Sequence, residues 1–223
     1  MDLNTVIISD IIGSRKLNDH ERHEWQLFLK SSIVQINEKF SDFIEAPFMI
    51  TKGDEFQGVL KRIGSVHSIV MEFERLVFPL TMRFGVGHGV IQKMGSKIPI
   101  EMDGAAFHRA QAALNKAKKK KKVIIIETEN EYFNLQVNTI YQLIYAIKER
   151  WSDISYKRYW KYQECGTYER VAQEEGVSTQ AVWDSLHNSH AIEVIQAEHA
   201  ICRLLYEEAI HYQQPDDINE PVY

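Results

Sequence analysis

The sequence predicts an α+β protein, with a ferredoxin-like βαββαβ domain followed by an all-α helix-turn-helix domain. Three observations predict it. Short strand-like apolar runs alternate with amphipathic helical stretches up to about residue 130. From Tyr132 onward the periodicity is helical throughout. The charge divides near residue 150: thirteen acidic residues against five basic ones give −8 from Trp151 onward, leaving +3 of the overall −5 for residues 1–150.

Each element follows from its residues. "NTVIISD" is a continuously apolar strand, the kind buried on both faces of a sheet. Asn18 is the expected N-cap of a first helix in which Trp25, Phe28, Leu29, Ser32, Ile33 and Ile36 recur at helical spacing to about Phe40. "PFMIT" and "FQGVL" flank the polar turn "KGDE" as the arms of a hairpin. "SVHSIVMEFERLVF" places Val66, Ile69, Val70, Phe73 and Leu76 on one helical face and ends before Pro79. "LTMRFGVGHGVI" alternates as a strand, then reads as running into a tight glycine-rich turn. Asp103 is the expected cap of a third helix through roughly Lys119, and "VIIIET" is another buried strand.

In the second part, "TIYQLIYAIKERW" and "YKRYWKYQ" are helical, and "TYERVAQEEGVSTQAVWDSL" fits a helix-turn-helix. Ala172 falls at the close helix contact, Gly176 in the turn and Val182 on the second helix, with Ser178 as its N-cap. "AIEVIQAEHAICRLLYEEAI" supplies a last helix. The expected division is 1–130, a connecting helix over 131–150, the helix-turn-helix domain over 151–212 and a flexible tail over 213–223.

Composition bounds the class. With 44% hydrophobic and 26% charged residues the chain reads as globular rather than disordered. The N-terminus lacks a basic segment before its brief apolar run, so it reads as a strand and not a signal peptide, and no apolar run reaches membrane-spanning length. Cys165 and Cys202 have neither metal-ligand spacing nor disulfide density, which points to buried thiols in a reducing cytoplasm.

"VIISDIIGSRKL", "ITKGDEFQGVL", "RFGVGHGVI" and "DGAAFHRAQAAL", in this order and spacing, resemble the SatD family of bacterial proteins. The resemblance runs from the first strand into the helix-turn-helix. The first 128 residues are also similar, more distantly, to the palm domain of class III nucleotidyl cyclases and diguanylate cyclases, whose signature "KGDEF" misses by one glycine. That resemblance implies two divalent cations, Mg²⁺ or Mn²⁺, gripping a nucleotide. Asp10, the Ile11 carbonyl and Asp54 fall on the metal positions, with Glu55 beside them. Hard cations take such oxygen ligands together with water and phosphate oxygens. Gly13, Ser14 and Arg15 are candidates for the phosphates, as are Lys52 and Arg109. Where class III cyclases place an Asn, and an Arg four residues on, this chain has His108 and Ala112. Efficient cyclisation is therefore not expected.

Other residues keep two readings. His88 is a ligand contact or, preferably, a solvent-exposed turn histidine. Gly85, Gly87 and Gly89 signal close backbone approach or a bulge. Arg83 meets a phosphate or a neighbouring carboxylate. The run from Lys118 to Lys122 complements a helix dipole and continues as a solvated connection. In the helix-turn-helix, Gln180, Asp184, His187 and Asn188 are the polar reach toward DNA or a protein partner; the helix carries no Lys or Arg, and a region 4-like sigma-factor resemblance keeps DNA in view. The expected function is a cytoplasmic regulatory protein that binds a nucleotide with divalent metal and signals through the helix-turn-helix, without a membrane and with a homodimer as one arrangement. The alternatives are a metal-dependent nucleotidyl- or phosphoryl-transfer enzyme and a non-catalytic interaction scaffold.

Overall fold

The structure, a computed structural model, describes residues 3–13, 19–92 and 98–211. Asn18, Ser14, Arg15 and the tail 213–223 lie outside the described residues. The chain divides into two units, 1–138 with 202–223, and 139–201.

The first unit follows the order β1 (Leu3–Ile11), α1 (Asp19–Lys39), β2 (Ile44–Lys52), β3 (Glu55–Leu60), α2 (Val66–Val77), β4 (Met82–Gln92), β5 (Asp103–Gly104), α3 (Ala105–Lys120), β6 (Ile124–Glu127). The fold is α+β: β1–β5 form a curled antiparallel sheet in the order β2-β3-β1-β4-β5, and a helical region follows. The strand β6 adds to β4 in parallel. β1, central and apolar, pairs with both β3 and β4. Its side chains alternate between two cores. Val6 and Ile8 pack with Val59, Ala106, Ala110 and Leu114 under α3. On the opposite face Phe73 of α2 meets Phe56 and Phe48, with ring centroids 4.8 and 5.2 Å away.

Two edges of this sheet are closed by asparagine side chains. Asn37 of α1 donates to the Phe48 carbonyl at 2.9 Å and accepts from the Phe48 amide at 2.8 Å, occupying the outer side of β2. On β6, Asn138 does the same for Ile126, both bonds at 2.8 Å, and Asn134 for Thr128. Each carboxamide imitates a strand residue, so backbone groups that would template another chain are already paired. Asn134 and Asn138 lie one turn apart on α4 (Glu131–Lys148), which places both along one strand.

The second unit contains α5 (Asp153–Cys165), α6 (Tyr168–Glu175) and α7 (Thr179–Asn188), with the adjoining parts of α4 and α8 (Ala191–His211). The α6–α7 turn is built as its residues require. Gly176 takes φ +67°, the Val177 amide returns to the Ala172 carbonyl, and Ser178 Oγ caps α7 by accepting from the Ala181 amide at 3.2 Å. Val171, Ala172, Val182 and Leu186 are buried. Arg158 of α5 pairs with Glu175 of α6 at 2.8 Å and donates to the Ala181 carbonyl of α7. Within the same unit Lys148 and Glu198, 1% and 3% exposed at their side chains, form an ion pair of 3.0 Å. Tyr159 and Gln163 also donate to the Glu198 carboxylate.

Several sequence expectations change. The strand β4 continues through its glycines to Gln92 instead of turning, because Gly85 and Gly87 lie beneath α3, where a β-carbon would overlap backbone atoms of Ala106, Ala110 and Leu114. His88 is consequently a buried strand residue and not an exposed turn histidine. Asp103 does not cap α3: it bridges to Gln92 in β5, and the N-cap is Gly104. The lysine run divides as expected: Lys118, Lys119 and Lys120 form the last turn of α3, and Lys121 and Lys122 lead on toward β6. The two cysteines lie on helices outside any disulfide, but half-buried.

Candidate functional site

The site lies where β1 and β3 end together. The β1–β3 register pairs Ser9 with Phe56, so the next step out sets Asp10 opposite Glu55 on the same face of the sheet. On the other side of β1, Asp10 pairs with Arg83 of β4. A strand, a hairpin arm and a third strand thus bring two carboxylates and a guanidinium to one sheet end.

Helix α3 adds the fourth group. Its residues at spacing four, Ala106, Ala110 and Leu114, pass over Gly87 and Gly85, so each turn of helix advances about two residues along the strand. One turn further, Lys118 arrives over Arg83 and its neighbour Asp10. Lys118 Nζ is 3.1 Å from Asp10 Oδ2 and 3.8 Å from Glu55 Oε2. Arg83 Nη1 is 3.6 Å from Asp10 Oδ1, and Arg83 Nε donates to the Lys122 carbonyl. The Oδ1 atom of Asp10 is buried and accepts no hydrogen bond from the described residues, among which its compensation is Coulombic. Of the two readings of Arg83, the neighbouring carboxylate is the contact present.

The hairpin tip is the two-residue turn Gly53–Asp54 between the paired Lys52 and Glu55. Gly53 holds φ +64°, which a leading glycine supplies in such turns. Lys52 is exposed and Asp54 half-buried. Among the predicted metal residues it is Glu55, and not Asp54, that shares a partner with Asp10. Ile11 closes β1 opposite Met82, and Gly13 follows in the described part of the loop with φ +85°.

Arg109 is not brought to this cluster. It donates to the His88 carbonyl at 2.7 Å and pairs with Glu129 at 2.8 Å. His88 is five residues along β4 from Arg83, a separation of about 17 Å at strand rise. His108 and Ala112 both face solvent, and His108 Nε2 lies 3.4 Å from Asp103. On α7, Gln180 donates to Asp184 at 2.9 Å, His187 stacks on Trp183 with ring centroids 3.9 Å apart, and Asn188 is exposed.

Sequence reasoning missed Lys118, which was absorbed into a run of like residues. The signal for it was the buried spacing-four series Ala106–Ala110–Leu114 continued by one turn. Chemically, the cluster is two carboxylates balanced by two cations, a set able to exchange one cation for another or to meet an anion. No group of three or more metal-ligating side chains occurs among the described residues. A hard cation needs only one or two carboxylates when water and phosphate complete its shell. Asp10 Oδ2 and Glu55 Oε2, which converge on one ammonium, fit that donor set.

The sequence model of the SatD family matches residues 4–202. Among solved structures, the crystal structure of a regulator of polyketide synthase expression from Bifidobacterium adolescentis is similar at 15% identity, over 92% of this chain and 82% of that one, with a TM-score of 0.31. No functionally curated protein matches the sequence.

Proposed function

The chain belongs to the SatD family, and from that premise we propose a regulatory protein whose α+β unit binds a nucleotide together with Mg²⁺ or Mn²⁺. The observation that carries this reading is the convergence of Asp10 and Glu55 on a single cation at the end of adjacent strands. Asp10 and Glu55 would hold the metal, with Asp54 and the Ile11 carbonyl at its margin. Lys118, Arg83, Lys52 and the loop beginning at Gly13 would meet the phosphates. When bound, the metal offsets phosphate charge and orients the ligand. The residues themselves supply charge balance and position.

A ferredoxin-like, cyclase-type palm is part of the proposal. Its support is the strand-helix-strand-strand-helix-strand order of β1 to β4 and the placement of β1 between β3 and β4. The signalling partner of the α6–α7 element is proposed as a protein surface, a second copy included, because an acidic module with no Lys or Arg on α7 is poorly matched to phosphates. DNA is the alternative partner, through Gln180 and Asn188. Transfer chemistry is not required by any residue of the cluster.

The test is a thermal-shift series with nucleoside mono-, di- and triphosphates, with and without Mg²⁺ or Mn²⁺, on the unaltered chain, Asp10→Asn and Asp54→Asn. A ligand selective for the folded state raises the melting temperature. A metal-dependent rise lost in Asp10→Asn is the expected result. No rise with any nucleotide would overturn the proposal, and product formation in the same samples would replace binding with turnover.

A further inference from the structure

Resting on that reading of the metal site, we infer that Lys118 is a tethered competitor of the divalent cation. Its ammonium group sits between Asp10 and Glu55, where a metal bound by those carboxylates would sit. An ammonium and a divalent ion cannot share that space, because like charges a few ångströms apart repel strongly when partly buried. Lys118 is also not a freely ranging surface lysine. The close packing of α3 on Gly85 and Gly87 sets its Cα above the site; its side chain is 37% exposed and Lys119, Lys120 and Lys121 are exposed too, but no ion pair of those three is seen among the described residues. Arg83 remains beside Asp10 through its bond to the Lys122 carbonyl, so displacement falls on Lys118.

A displaced ammonium stays on the last turns of α3, next to the bound metal. An anionic group arriving with the metal gives it a new partner. Metal alone must therefore compete with Lys118, while metal with phosphate recruits it. The structure thus assigns Lys118 the role of coupling cation entry to the presence of a phosphate-bearing ligand.

The experiment is Mn²⁺ titration of the full chain, read by the loss of free-ion electron paramagnetic resonance signal, with and without a nucleoside triphosphate. The samples are the unaltered chain, Lys118→Gln, Lys119→Gln and Asp10→Asn, each checked for an unchanged melting temperature in the absence of metal. Without nucleotide, Lys118→Gln should bind Mn²⁺ about tenfold more tightly than the unaltered chain, corresponding to about 1.4 kcal/mol. Lys119→Gln, which carries the same charge change, should not, and Asp10→Asn should not bind. The gain in Mn²⁺ affinity on adding triphosphate, corrected for the nucleotide's own affinity, should shrink in Lys118→Gln. Equal effects of Lys118→Gln and Lys119→Gln, or weaker binding by Lys118→Gln, would overturn the competitor role while leaving the metal site standing. Absence of binding in every sample, Lys118→Gln included, would overturn the metal site and the competitor with it.

Discussion

Thr5 and His88 face each other across the β1–β4 ladder, with Thr5 Oγ1 2.9 Å from His88 Nδ1. His88 is only 5% exposed. Burial pushes its pKa down from 6.5 to about 4, against a backbone hydrogen bond involving Asn4, and the Arg109 charge adds to the depression while Glu129 opposes it. His88 is thus neutral in the folded chain at neutral pH and is held by its place in the β1–β4 ladder.

Stability should therefore fall on acidification through this residue. A depressed histidine pKa means that the unfolded chain binds the proton more readily. The contribution is complete above about pH 6.5 and is lost progressively as pH falls toward 4. Its full size is about 3 kcal/mol for a shift from 6.5 to about 4. Urea midpoints at pH 7 and pH 4.5 should differ less in His88→Gln than in the unaltered chain. An identical pH dependence in both would show that His88 does not titrate in this window.

Gly85→Ala should destabilise the first unit by about 1–3 kcal/mol or more, because the new methyl would meet the Ala110 carbonyl and the Leu114 amide, both backbone. Gly64→Ala, where no atom stands within 4 Å, should change stability by less than about 0.5 kcal/mol. Denaturant titration of the two variants makes the comparison.

Asn138→Ala should cost about 1–3 kcal/mol by leaving the Ile126 amide and carbonyl without their partner at the β6 edge. Asn138→Asp should also destabilise, since a carboxylate accepts from the Ile126 amide but cannot donate to its carbonyl. Hydrogen exchange at Ile126 reports the loss directly.

Lys148→Met should destabilise the helical unit by about 3–5 kcal/mol, because it leaves the buried Glu198 carboxylate without its cation. Lys148→Met combined with Glu198→Gln should recover most of that loss. Additive losses in thermal melts of the double variant would mean that the two residues do not act as a pair.

The elements and their order were legible because each rests on local chemistry. The continuous run Val6–Ile8 predicts a strand buried on both faces, Pro79 marks the end of a helix, and Gly176 with Ser178 specifies a turn and a cap that the structure builds as expected. Boundaries were less legible where a residue type serves two purposes. Glycine at 85, 87 and 89 reads partly as a turn signal, although alternation with Phe84, Val86 and His88 also suits a strand lying under a helix. Asp103 looked like a cap because it precedes an alanine-rich helix by two residues, and the short β4–β5 bridge that takes it instead is non-local.

The sequence by itself determined the succession of strands and helices, the change of character near residue 130, and the carboxylates at the ends of β1 and β3. These follow from periodicity, turn chemistry and charge over a few neighbouring residues. Only the tertiary structure decided that Glu55 is the partner of Asp10, that Arg109 is occupied about 17 Å away at strand rise, and that Lys118 out of five consecutive lysines closes the cluster. The reason is geometric. Register selects which carboxylate stands opposite Asp10. The close approach of α3 to two glycines then selects which turn of the helix, and so which lysine, stands above it.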